Sequence, residues 1–97
     1  MKNLDLNKLD LGGFKYSTTT ISKMGSVFYD DPDNEDNWIE LFPIHNKPEL
    51  IGVNYVYTAG TIRSCVFEKD ESVVVNIKSN IPEELMDVLN TVQESDS

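Results

Sequence analysis

Between Leu50 and Lys78 three short runs alternate apolar and polar residues, with connections of only a few residues between them, and no other feature limits the fold so strongly. From Leu50 to Thr58, Val53, Tyr55 and Tyr57 fall on one parity and Asn54, Val56 and Thr58 on the other. Thr58-Ala59-Gly60 makes a tight connection, and from Thr61 to Glu68 the set Ile62, Ser64 and Val66 opposes Arg63, Cys65 and Phe67. After the polar turn Lys69-Asp70-Glu71, Val73, Val75 and Ile77 form an apolar set, with Asn76 and Lys78 pointing away. A period of two is the signature of strands. Connections this short join antiparallel neighbours, because a parallel crossover needs a dozen residues or more. The segment therefore predicts a β-meander over residues 50–78.

Upstream, Phe14, Tyr16 and the run Thr18-Thr19-Thr20-Ile21 are strand formers, and Val27-Phe28-Tyr29 resumes the pattern, so a hairpin with its turn near Ser22-Lys23-Met24-Gly25 is expected. Trp38 to Phe42 reads as a further strand in which Trp38, Glu40 and Phe42 share one parity and Ile39 and Leu41 the other. Pro43 should end it or confine it to an edge, with His45-Asn46-Lys47-Pro48 as a loop. Leu4, Leu6, Leu9 and Leu11 suit a short helical turn or an arm closed by Gly12-Gly13.

At the C-terminal end, Asn80 with Glu83 three residues later resembles a capping box, and Pro82 suits a first helical turn. Glu83, Glu84 and Asp87 complement the positive end of a helix dipole. Ile81, Leu85, Val88, Leu89 and Val92 form one helical stripe. The expected fold class is α+β, a single small domain over residues 1–97. It comprises an arm or short helix at 1–13, an antiparallel sheet of four to six strands within 14–79, and a helix at 80–93 packed on one face, with a tail at 94–97. A chain of 97 residues has room for one modest core.

The net charge of −9 lies in two blocks. Residues 30–40 carry six acids and no base, residues 81–97 carry five acids and no base, and the rest of the chain is balanced or slightly positive. The first block, Asp30-Asp31-Pro32-Asp33-Asn34-Glu35-Asp36-Asn37 with Glu40 beyond it, repels itself and attracts cations or a basic protein surface. Pro32 and its Asp and Asn neighbours favour turns, placing the block in a surface loop over residues 30–37. Direct nucleic-acid binding is disfavoured, since phosphate contacts need Lys and Arg, and an anionic membrane surface is disfavoured on the same ground. With Cys65 alone there is no intramolecular disulfide, and Met1-Lys2-Asn3-Leu4-Asp5 lacks the apolar region of a signal peptide. A cytoplasmic protein is expected.

Chemistry is sparsely signalled. Asp31, Asp33, Glu35 and Asn37 occupy positions 1, 3, 5 and 7 of a calcium loop, but positions 6 and 12, which need Gly and Glu, hold Asp36 and Phe42. His45 is the one histidine, in a loop-like context without a nucleophile motif. Cys65 has Arg63 two residues away on the same strand face, the single feature that could activate it. Gly12-Gly13 lacks the Lys-Ser/Thr of a phosphate loop. No catalytic residue, cofactor or metal site is expected. Trp38 abuts the acidic block, where an aromatic anchor inside a polar rim would suit a protein interface. The expected site is therefore Asp30, Asp31, Asp33, Glu35, Asp36, Trp38 and Glu40.

These features suggest a non-catalytic acidic module that binds a basic protein surface. Its most concrete form is an inhibitor or nucleic-acid mimic on a nucleic-acid-processing or defence enzyme. In size and charge, though through no shared motif, the chain resembles small phage-encoded inhibitors of restriction or CRISPR systems. A toxin-immunity or antitoxin-like protein, or a small subunit or assembly factor docking through an apolar stripe, are the alternatives. An enzyme would require a pocket joining His45 or Cys65 to carboxylates.

Overall fold

The computed structural model describes residues 4–19 and 25–95, with side chains as far as residue 90. Five strands, β1 (Lys15–Tyr16), β2 (Val27–Asp30), β3 (Trp38–Ile44), β4 (Lys47–Tyr57) and β5 (Thr61–Glu68), form one antiparallel sheet in the order β1-β2-β3-β4-β5. Two helices follow, α1 (Val73–Ser79) and α2 (Met86–Ser95), and short 3-10 turns occupy Leu6–Lys8 and Glu83–Leu85. The architecture is the α+β meander with a C-terminal helix that the alternation implies. The suggested turn at Ser22–Met24, the flanking Thr20 and Ile21, and the side chain of Val92 lie outside the described residues.

Register assigns the faces. Tyr29, Ile39 and Tyr55 lie opposite one another across β2, β3 and β4, and Leu41 lies opposite Val53. These residues and Ile51 are buried on one face against Leu11, Phe14, Val73, Ile77, Ile81 and Leu85 from the covering segments. The opposite face carries Phe28, Trp38, Glu40, Phe42, Asn54, Ser64, Ile62 and Val66, with no covering layer among the described residues.

Two buried tyrosines fasten the cover to the sheet. The Tyr29 hydroxyl donates to the Leu6 carbonyl and accepts from the Leu9 N–H at 2.9 Å, so the N-terminal arm is a strap beneath β2. The Tyr55 hydroxyl donates to the Ile77 carbonyl at 2.7 Å and holds the end of α1. Burial pushes both phenols above their ordinary pKa of 10.0, through loss of hydration of the phenolate, although the Leu9 N–H partly offsets this at Tyr29. The strap turns at Gly12, whose φ of +65° suits glycine, and the Gly13 N–H donates to the Val88 carbonyl of α2 at 2.7 Å.

Several local expectations change. Val73, Val75 and Ile77 do not form a strand; the meander ends at Glu68 and residues 73–79 are helical. A short valine-rich run satisfies both periods, and packing decides: the helix buries Val73 and Ile77 and sends Val75 to solvent. The start is set by Asp70, whose carboxylate accepts from the Ser72 N–H at 2.8 Å and the Ser72 hydroxyl, holding its pKa below the ordinary carboxylate value. Asn80 consequently closes α1 rather than opening the last helix, its side-chain amide donating to the Asn76 carbonyl at 2.9 Å. The C-terminal helix follows Pro82 through a 3-10 turn, and α2 runs from Met86 to Ser95, past the expected 93.

Pro43 does not end β3, which continues to Ile44 in the middle of the sheet. Pro43 sits beyond the last β2 pair, Val27 with Leu41, and next to a register shift, where a missing N–H is tolerated. Lys47 and Pro48 belong to β4, leaving only His45-Asn46 as the turn, with Asn46 at φ +65°. Toward the N-terminus the strand is only Lys15–Tyr16, and Thr18 and Thr19 lie outside it.

Candidate functional site

The acidic loop is a folded object. Asp31 opens one turn: its Oδ1 accepts from the Asp33 N–H at 2.9 Å and its carbonyl from the Asn34 N–H at 3.2 Å. Asn34 opens a second in the same way, accepting from the Asp36 N–H at 2.9 Å and the Asn37 N–H at 3.1 Å. Asp and Asn favour the first position of such turns and Pro32 the second. The Asp31 N–H closes the loop onto the Asn37 carbonyl at 3.1 Å, and Asn37 donates its side-chain amide to Asp31 Oδ2 at 3.3 Å. Asp31 is thereby 8% exposed and serves the loop itself. Asp33, Glu35 and Asp36 are left on the outside.

The loop stands over the open face of the sheet. Phe28, Asp30, Asp31, Pro32, Asp33, Asn34, Glu35 and Trp38 line a shallow groove of about 710 Å³. Phe28 and Trp38 are half-buried and supply apolar walls, while Asp30, Asp33 and Glu35 supply carboxylates. Register explains the gathering: Asp30 pairs with Trp38, and Phe28 with Glu40, on the same face. Among the described residues none of these acids has a Lys or Arg at ion-pair distance; the ion pair present joins Lys8 to Asp5. Their field is therefore directed at solvent.

The other two expected residues sit apart from the groove. Asp36 is exposed on the loop. Glu40 lies in the middle of the open face, where its carboxylate accepts from Asn54 Nδ2 at 3.3 Å, and Asn54 Oδ1 accepts from the Ser64 hydroxyl at 2.6 Å. This polar row crosses three strands. Beyond it a second hollow of about 500 Å³ is lined by Ser26, Glu40, Phe42, Pro43, Ile44, His45 and Asn54. Five residues of chain, roughly 15 Å at the usual strand rise, separate Glu40 from His45, so they do not form a hydrogen-bonded acid–base pair.

Phe28 was not anticipated as a site residue, although its parity with Asp30 was the available signal. Cys65 lies half-buried on the covered face opposite Val53. Arg63 on that strand turns its guanidinium to the Asn80 carbonyl at 3.5 Å. Among the described residues no cluster of His, Cys, Asp or Glu could hold a metal ion, and no helix is long and apolar enough to cross a membrane. Chemically, aromatic walls under a carboxylate rim suit a guanidinium or ammonium group, which gains from both the ring face and the charge. No family model, curated protein sequence or solved structure matches the chain.

Proposed function

We propose that the chain is a non-catalytic binding module that places its acidic loop on a basic protein surface. In its most concrete form it is an inhibitor or nucleic-acid mimic of a nucleic-acid-processing or defence enzyme. The observation that carries this reading is the groove in which Asp30, Asp33 and Glu35 surround Phe28 and Trp38 with no cation from the described residues to neutralise them. Carboxylates held in this way can receive Lys and Arg side chains that otherwise contact phosphates, and their field accelerates encounter. Trp38 supplies the apolar contact that makes such an interface more than electrostatic. Asp36 extends the charged surface, and Glu40 extends it along the sheet. The cytoplasm is the compartment in which such a partner would be met.

The test is affinity capture from a cell lysate with the tagged chain, released by a salt gradient, in parallel with a variant carrying Asp30→Asn, Asp33→Asn, Glu35→Gln and Asp36→Asn. Asp31 is kept because it builds the loop. A basic nucleic-acid-binding enzyme should bind, leave at moderate salt and be displaced by added DNA. The variant should lose at least about tenfold in affinity and show a flatter salt dependence while its circular dichroism is unchanged. Equal binding by the variant removes the loop from the mechanism. A single partner indifferent to DNA would instead identify the immunity or antitoxin class.

A further inference from the structure

The two edges of the sheet differ. β1 is two residues long, a short edge of the kind that discourages pairing. β5 has eight residues, Thr61–Glu68, and keeps unbroken register with β4 from Tyr57–Thr61 to Leu50–Glu68. It contains no proline, and among the described residues nothing pairs with its outer side. Its one basic residue, Arg63, reaches along the covered face to Asn80. On the open face it presents Ile62 and Val66, 60% and 55% exposed, on either side of Ser64.

This spacing makes the strand complementary to itself. A twofold axis normal to the sheet at Ser64 sets Ile62 of one copy opposite Val66 of the other, and Ser64 opposite Ser64. Moving the axis to Cys65 would set Ile62 against Glu68, and moving it to Arg63 would set Val66 against Gly60. An axis between residues would oppose residues from different faces. Only the axis at Ser64 lets both exposed apolar side chains cover each other.

Charge favours the same arrangement. β5 carries one Arg and one Glu, so no net charge meets its copy. The acidic loop lies at one end of the sheet, beside the cross-strand row Trp38, Val56 and Ile62. Antiparallel pairing sends the two loops to opposite ends of the joined sheet, whereas parallel pairing would bring them to the same end.

We propose that β5 is a self-pairing edge: two copies join β5 to β5 antiparallel about Ser64, giving a continuous ten-stranded sheet with an acidic groove at each of two opposite corners. The main chain supplies the hydrogen bonds, and the Ile62–Val66 pairs and the Ser64 pair set the register. This inference is independent of what the groove binds.

Sedimentation of the full chain from low micromolar to millimolar concentration should show a mass rising to twice 11.0 kDa. Ile62→Lys with Val66→Lys, both exposed and so tolerated by the monomer, should abolish that rise with circular dichroism unchanged. In a Cys65→Ala background, Ser64→Cys should form a covalent dimer under mild oxidation, and Thr61→Cys, opposite Phe67 of the second copy, should not. A monomer at every concentration overturns the proposal. So does a dimer that survives the lysine pair or cross-links equally well at both positions.

Discussion

The two faces of this sheet are made from alternate residues of the same strands, yet they are built on opposite terms. The covered face is largely apolar, and two buried tyrosine hydroxyls there are bonded to the backbone of the covering segments. The open face mixes half-buried aromatics with a bonded row of Glu40, Asn54 and Ser64 and ends in an acidic loop. A small domain can complete one core of this kind. The second face has no such cover among the described residues, and changes there should cost less stability than changes in the covered core.

The sharpest break of that comparison uses two glycines. At Gly12 a Cβ would run into the backbone of Leu89, and the residue also sits at φ +65°. Gly12→Ala should therefore cost more than about 4 kcal/mol, seen as loss of a cooperative thermal transition. At Gly52 the nearest atoms to an added Cβ are the far end of the Phe42 ring, a side chain bordering the open hollow rather than backbone. Gly52→Ala should cost about 1 kcal/mol by urea titration. Equal losses would mean that Phe42 is as fixed as the covered core.

Next come two neighbours on opposite faces. Ile39 is fully buried and Trp38 half-buried. Ile39→Ala should destabilise by about 3 kcal/mol, and Trp38→Ala by about 1–2 kcal/mol although it deletes more atoms. Chemical denaturation of both variants checks the order. A larger loss at Trp38 would make the open face part of the core.

The tyrosine anchors give a pH dependence. Both phenols have raised pKa values in the fold, so their stabilisation is complete below the ordinary value of 10.0 and declines as pH rises above it, because the unfolded chain ionises first. Denaturation midpoints should fall above pH 10, and Tyr55→Phe should reduce the slope. At neutral pH that variant should cost about 1 kcal/mol, the worth of one hydrogen bond to the Ile77 carbonyl.

The smallest effect lies at the β4–β5 turn, where Thr58 and Ala59 hold φ of 51° and 55°. Ala59→Gly relieves the second of these and should raise stability by about 0.5 kcal/mol in the same titration. If the turn governs how β5 is presented, the variant also changes the concentration at which mass increases.

Much of this contrast could be read in the sequence, and the parts that could not share a cause. The alternation through β4 and β5 and the parity of Trp38, Glu40 and Phe42 were legible because strand periodicity is local. Which parity is buried was not, because Ile39 and Leu41 are as apolar as Trp38 and Phe42. Burial is decided by Leu11, Phe14, Ile77 and Leu85, which arrive from distant segments. The segment Val73–Ile77 was misread for the same reason, its helical state being fixed by what Val73 and Ile77 pack against. In the acidic block, composition marked a charged loop, but the inward turn of Asp31 and the addition of Phe28 depend on hydrogen bonds and register that composition does not carry.

The double turn built by Asp31 and Asn34 has a consequence for thermodynamics. A carboxylate-rich segment of an unfolded tail must surrender chain entropy when it docks, at about 1–2 kcal/mol for each residue fixed. Here backbone and side-chain bonds within residues 31–37 already limit those conformations. If the loop docks as proposed, that step should carry only a small unfavourable entropy from this segment, because the spacing of Asp33, Glu35 and Asp36 is already restrained. On the proposed reading, a basic surface whose cations match that spacing would be favoured over one that merely carries the same charge.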